Sequence, residues 1–181
     1  MEIKETRFPG LLILRRPVRR DDRGSFQELF QRDALAEAGI SLDWKQDNLS
    51  VSRQNVIRGL HYQVTRPQAK LIHVVHGAVF DVALDIRRSS PTFGQCLTFE
   101  LKAGDGVSVL IPVGFAHGFA ALEPQTAFLY KVSDSFCAEG DRVILWNDPE
   151  LGIPWPIPEQ DAILSEKDRH GILFKMADLF P

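Results

Sequence analysis

Short runs dominated by apolar, β-branched and aromatic residues recur along most of the chain, each closed by Gly, Pro, Asn, Asp or Ser. This pattern predicts strands at Leu11–Arg16, Ser25–Phe30, Asn48–Ser52, Val56–Gln63, Leu71–Val75, Ala78–Ile86, Cys96–Leu101, Val107–Ile111, Phe115–Leu122, Ala127–Val132 and Val143–Trp146. Many short strands with a turn every ten or so residues predict a mainly β sandwich or barrel. One short helix interrupts them. Asp33 is placed to cap it, Ala34 to Ala38 propagate it, and Gly39 is placed to end it. The tail from Asn147, with Pro149, Pro154, Pro156 and Pro158, predicts loops and short helical turns wrapped around the strands.

The 181 residues fit one domain over 1–181, long enough to bury a core. A net charge of -3 argues against a nucleic-acid partner, which would favour a strongly basic face. The basic run Arg15, Arg16, Arg19, Arg20, Arg23 is broken by Pro17, Asp21 and Asp22 and, taken as a whole, reads as a solvated strand edge and turn. Met1 to Glu5 is charged and lacks the apolar stretch of a signal peptide. The longest apolar stretch, Val107 to Leu122, is interrupted by Pro112, Gly114, His117 and Gly118, which excludes a membrane helix. Cys96 and Cys137 are far apart and read as reduced thiols in a cytoplasmic protein.

Two hairpins are expected to gather polar groups. A two-residue turn at His76-Gly77 sets Lys70 opposite Ala83, with Asp81 and Asp85 as its diagonal neighbours. A turn at Glu123-Pro124 with a two- or four-residue loop sets His117 opposite Tyr130, and a three-residue loop breaks that pairing. No metal site is expected. A barrel metal centre commonly uses His-x-His on one strand, whereas His61 is followed by Gln63, and His73 and His76 point to opposite faces. His73 and His170 read as structural residues. His61 and His117 stand in richer surroundings, Arg58-Gly59-Leu60-His61-Tyr62-Gln63 and Pro112-Val113-Gly114-Phe115-Ala116-His117-Gly118-Phe119.

Those two motifs are joined by Lys70-Leu71, Val79 to Arg87, Ser90-Pro91-Thr92-Phe93-Gly94, Phe128-Leu129-Tyr130-Lys131, Trp146-Asn147-Asp148-Pro149 and Leu164 to Asp168. In this order and spacing the chain resembles the dTDP-4-dehydrorhamnose 3,5-epimerase family from Phe8 to about Leu173. The resemblance implies a cupin-type jelly-roll barrel, a homodimer, no cofactor or metal, and a dTDP-4-keto-6-deoxy-hexose substrate. It also implies the chemistry: hydrogens on C3 and C5 flank the C4 ketone, and removing either gives an enolate. Inversion needs a base on one face of the sugar, an acid on the other, and positive charge near the ketone oxygen.

By the same resemblance His61 is the base, Asp168 its partner, Tyr130 the proton donor and Lys70 the cation beside the enolate oxygen. His117 lines the sugar pocket. Arg23 and Arg58 match phosphate-binding arginines, whose planar fork suits phosphate oxygens. Phe26, Glu28, Gln46, Asn48 and Lys167 match further binding positions, some of them supplied in the family by the partner chain. Phe136 stands where many members have a tyrosine stacked on thymine, Asp141 where a glutamate is usual, and the loop from His61 to Lys70 is one residue shorter than common. The alternatives are a single-site epimerase or a 3,4-ketoisomerase on the same barrel, a metal-dependent barrel enzyme, and a sugar-nucleotide binder without catalysis.

Overall fold

The computed structural model describes residues 1–181. Its strands are β1 (Glu2–Glu5), β2 (Leu12–Arg15), β3 (Val18–Asp21), β4 (Gly24–Gln27), β5 (Gln46–Ser52), β6 (Ile57–Gln63), β7 (Lys70–His76), β8 (Ala78–Asp85), β9 (Cys96–Lys102), β10 (Val107–Ile111), β11 (Phe115–Ala121), β12 (Thr126–Val132) and β13 (Asp141–Val143). Two short helices, α1 (Arg32–Glu37) and α2 (Glu166–Arg169), complete the list with single 3₁₀ turns at Glu159–Asp161 and Phe174–Met176. A six-stranded sheet, β1-β2-β10-β7-β12-β5, packs on a five-stranded sheet, β13-β6-β11-β8-β9, and β3-β4 stands apart as a hairpin. This is a cupin-like jelly-roll sandwich.

Side-chain rows across the six-stranded sheet explain where the site lies. Opposed residues share a face, so the inward rows read Ser50–Phe128–Val74, Asn48–Tyr130–Ile72–Val109 and Gln46–Val132–Lys70–Ile111. They are apolar toward β10 and polar toward β5. The apolar part meets Val79, Ala83, Phe115 and Phe119 of the other sheet in the main core. The polar part has no such cover and forms one wall of a groove. On the outside, Leu35 of α1 seals Leu14, Leu71 and Leu110, and the tail residues Phe174 and Ala177 seal Leu60, Val82 and Leu84.

Three expectations are corrected. Neither hairpin forms: β7 pairs with β10 and β12, while β8 pairs with β9 and β11, so the turn at Gly77 carries the chain from one sheet to the other. The same is true of β11 and β12, so His117 lies opposite Ala83 and His61, and Tyr130 opposite Ile72 and Asn48. Lys70 therefore has no ladder neighbours in β8, and Asp85 is instead paired with Arg87, Ser90 and Thr92. The cap of α1 is Gln31, without a side-chain bond, because the helix begins at Arg32, two residues earlier than a cap at Asp33 would set it; Asp33 sits inside the first turn. Arg16 is not solvated. It is 6% exposed, donating to Leu29 O at 2.9 Å and facing Glu28 at 3.8 Å.

β1 and β3 were not expected, since each has a single apolar residue among charges; main-chain ladders to β2 and β4 hold them. The strand expected at Val143–Trp146 lies earlier, at Asp141–Val143, and Ile144 continues by bonding Leu60 in both directions.

Candidate active site

His61 reaches its position through a close crossing of two glycines. Gly59 has φ +122°, and a Cβ there would lie 2.5 Å from Gly118 Cα and 2.7 Å from His117 O. Only glycine on both strands lets β6 and β11 approach this closely. The register shifts at the same place, with His117 opposite His61 but Phe119 opposite Arg58. This irregularity turns both Arg58 and His61 toward the groove, although an odd spacing along a regular strand would part them.

Behind His61, Nε2 is hydrogen-bonded to Asp168 Oδ1. Ser165 caps α2 by accepting from Asp168 N–H at 3.1 Å, and its hydroxyl donates to Asp168 Oδ2 at 2.8 Å. The four-residue helix thus fixes the carboxylate, which is 3% exposed. Burial alone raises Asp168, but the bond and charge of His61 and the Ser165 and Gly59 donors hold it below the usual carboxylate range. Burial holds His61 below the ordinary imidazole value against the upward pull of Asp168. At neutral pH the pair is a neutral imidazole backed by a carboxylate, an arrangement suited to taking up a proton.

Lys70 comes from the opposite sheet. Its ammonium, on a side chain 7% exposed overall, donates to His61 O at 3.1 Å. Burial lowers its pKa to about 8, with Asp141 and Asp81 pulling it back up and Lys167 pushing it down. Asp81 is thus a neighbour of Lys70 after all, across the sandwich. Its Oδ2 is 2.7 Å from His117 Nε2, and both side chains are buried. Tyr130, also from the six-stranded sheet, is kept protonated well past neutrality by burial, with Arg58 opposing the shift.

These groups line one cavity of about 250 Å³, with Arg58, His61, Lys70, His117 and Tyr130 on its walls and Phe136, Asp141 and Lys167 at its mouth. His61 and Tyr130 approach it from opposite sheets. Arg58 is steadied by a 3.1 Å bond from Nε to Ser52 Oγ, and Lys167 is ion-paired with Asp141. Gln46 and Asn48 stand at the β5 edge. Gln46 Nε2 donates to Asn48 Oδ1 at 2.7 Å while its Oε1 accepts from Phe136 N–H at 3.0 Å. A cavity of this size is smaller than the roughly 300–1,000 Å³ of pockets that take drug-sized ligands.

Arg23, Phe26 and Glu28 are not brought to this cavity. They belong to β4 and its flanks, line other cavities, and Arg23 is paired with Asp21 while Phe26 is 68% exposed. Gln63 and Phe128, which stand in the sequence motifs without an assigned role, and Gln68 and Ser50, which stand outside them, also line the cavity. Inward alternation along β5 and β12 would have singled out Ser50 and Phe128. His73 is structural, 2.6 Å from Ser108 Oγ in the interior. No three His, Cys, Asp or Glu side chains converge as a metal site would need.

A family model described as dTDP-4-dehydrorhamnose 3,5-epimerase matches residues 5–176. A dTDP-4-dehydrorhamnose 3,5-epimerase of Pseudomonas aeruginosa is 48% identical over 183 residues, covering 99% of this chain and 100% of that protein. Among solved structures, a dTDP-6-deoxy-D-glucose-3,5-epimerase of Legionella pneumophila in complex with dTDP-4-keto-L-rhamnose superposes with a TM-score of 0.93. It is 42% identical and covers 98% of this chain and 94% of its own. A dTDP-4-dehydrorhamnose 3,5-epimerase of Bacillus anthracis with TDP and PPi bound has a TM-score of 0.90 at 42% identity, covering 95% and 98%.

Proposed function

The chain belongs to the dTDP-4-dehydrorhamnose 3,5-epimerase family, and from that premise we propose that its cavity inverts C3 and C5 of dTDP-4-dehydro-6-deoxy-D-glucose, giving dTDP-4-dehydro-β-L-rhamnose for dTDP-L-rhamnose synthesis. The observation that supports the residue roles is that His61 and Tyr130 line one cavity from opposite sheets, with the Lys70 ammonium bonded to His61 O beside them.

The reaction runs as two rounds of the same proton traffic. His61 takes the hydrogen from the carbon beside the ketone, and the electron pair moves into the ketone oxygen as an enolate. Asp168 stabilises the imidazolium that forms, and Lys70 stabilises the enolate oxygen; preorganised charge of this kind is commonly the largest part of such a rate enhancement. The Tyr130 phenol delivers its proton to the same carbon from the other face, leaving phenolate. Imidazolium and phenolate then return to their starting states through solvent, so substrate and product are isomers and no redox cofactor or metal is required. His117, held by Asp81, lines the sugar.

Arg58 and Lys167 supply cations for the diphosphate, and Phe136, Gln46 and Asn48 form the base end. Arg23, Phe26 and Glu28 join a site only in a homodimer that brings one protomer's β3–β4 hairpin to its partner's groove mouth. One feature supports that dimer: the exposed apolar residues Leu49, Val51 and Val75 on the outer face of the six-stranded sheet. No helix is long and apolar enough to cross a membrane. A cytoplasmic site of action accords with two unpaired cysteines.

His61→Ala is expected to abolish turnover while still binding dTDP, and Arg58→Ala mainly to weaken binding. Near-normal turnover in His61→Ala removes His61 from the base role.

A further inference from the structure

Two glutamines from different sheets hold consecutive amides of the loop that carries Phe136. The loop runs from Ser133 to Gly140, between β12 and β13. Phe136 N–H donates to Gln46 Oε1 at 3.0 Å, and Cys137 N–H donates to Gln63 Oε1 at 2.9 Å. The Gln63 carboxamide spends its remaining donors on Arg66 O at 2.8 Å and Ser135 O at 3.4 Å. It is 4% exposed, so a fully bonded amide is buried where a hydrophobic residue would otherwise pack. All of its bonds go to main chain in two loops, and none goes to a strand neighbour. The Phe136 ring is 58% exposed at the cavity mouth, a large apolar surface left open beside cations.

Gln63 also stands two residues after His61 on β6, so the two side chains share a face. The same strand therefore fixes the base through position 61 and the mouth loop through position 63. We propose that Gln63 is a positioning residue for nucleobase recognition: its carboxamide locks the Phe136–Cys137 backbone so that the Phe136 ring stands at a set height above the His61 end of the cavity. This rests on the reading that Phe136 stacks on the base of the nucleotide. Gln68, donating to Asp134 O at 2.8 Å, anchors the start of the same loop, and Gln63 anchors its turning point.

The mechanism predicts a specific energetic signature. Without the Gln63 acceptor the Cys137 amide is free, the loop samples several positions, and the ring must be ordered each time a base binds. Ordering lost in the free protein is charged to affinity and not to the chemical step at saturation. Gln63→Ala should thus raise KM about tenfold and weaken dTDP binding by a similar factor, with kcat within about threefold of the parent.

A double-mutant cycle tests this, with dTDP and inorganic pyrophosphate as probes in calorimetry on Gln63→Ala, Phe136→Ala and the double variant. The proposal expects dTDP binding in the double variant to match Phe136→Ala within about twofold, because the ring through which Gln63 acts is already gone. It expects pyrophosphate binding to be unchanged in all three. Multiplying losses for dTDP, or an equal loss of pyrophosphate binding in Gln63→Ala, overturns the positioning role and leaves Gln63 a general structural residue. Unchanged dTDP binding in Phe136→Ala alone overturns the stacking reading beneath it. Should Gln63→Ala not fold, Gln63→Met carries the same cycle: it keeps the length of the side chain and adds no charge, but removes the acceptor of the Cys137 amide and the donors to Arg66 O and Ser135 O.

Discussion

Replacing Asp168 by Asn separates the charge behind His61 from the geometry that holds it. The carboxylate receives His61 Nε2 on one oxygen and the Ser165 hydroxyl on the other. An amide of the same shape keeps its oxygen toward His61 and turns its NH₂ to the Ser165 hydroxyl, which can accept as well as donate. The Asp168 backbone bond to Ser165, which caps α2, survives too. What disappears is the negative charge that stabilises an imidazolium. A positioned acid or base contributes ~10²–10⁴-fold, or roughly 3–5 kcal/mol of barrier. The His61 side chain is 34% exposed while Asp168 is buried, so water screens part of the lost interaction and the lower end applies. Asp168→Asn should reduce kcat about a hundredfold with KM nearly unchanged.

The same change moves the pH profile in a determined direction. Asp168 raises the His61 pKa against burial; removing its charge leaves burial and the charges of Lys70 and Lys167 unopposed, so the acid limb of kcat/KM shifts to lower pH as the rate falls. The assay is steady-state epimerisation across pH, with the product drawn off by a coupled reductase. A kcat within a few-fold of the parent, or an acid limb moved upward, refutes the assignment of Asp168 as the charge that supports the base.

The alkaline limb belongs to Lys70: only its protonated form stabilises an enolate, so activity in the free enzyme should fall as pH rises through about 8, and Lys70→Met should lose most turnover together with that limb. Stability should respond to His73, whose buried ring has a pKa lowered to about 4. Below about 6.5 the unfolded chain takes up a proton that the folded chain refuses, so stability is lost as pH falls toward 4, by roughly 3 kcal/mol at most, and His73→Gln should flatten that slope in urea titrations. Gly59→Ala should drive β6 and β11 apart at the point where a Cβ meets Gly118, lowering both the melting temperature and kcat; a fully active, equally stable variant contradicts the tight crossing.

Alternation and turn residues made the strands legible, and Val107–Ile111 was predicted to the residue. Their partners were not legible. A turn such as His76-Gly77 serves equally to fold a strand back beside its predecessor or to pass it to a facing sheet, because both leave the same residues buried. Lys70 shows the consequence: its approach to Asp81 was expected along a ladder and occurs across the sandwich. Pattern also could not find the register shift between His117 and Phe119, which turns Arg58 and His61 to one cavity. Asp168 became a candidate only through resemblance, since 107 residues separate it from His61. Gln63 was missed because a buried glutamine between two loops leaves no periodic trace.

Solvent exchange tests the central claim most directly, because a base and an acid on opposite walls must each exchange with water between turnovers. Purified protein incubated with dTDP-4-dehydro-6-deoxy-D-glucose in deuterated water should yield product bearing one deuterium at C3 and one at C5, with no wash-in from His61→Ala. Label at one carbon only marks a single-site epimerase, and inverted product without solvent label contradicts the two-sided proton transfer altogether.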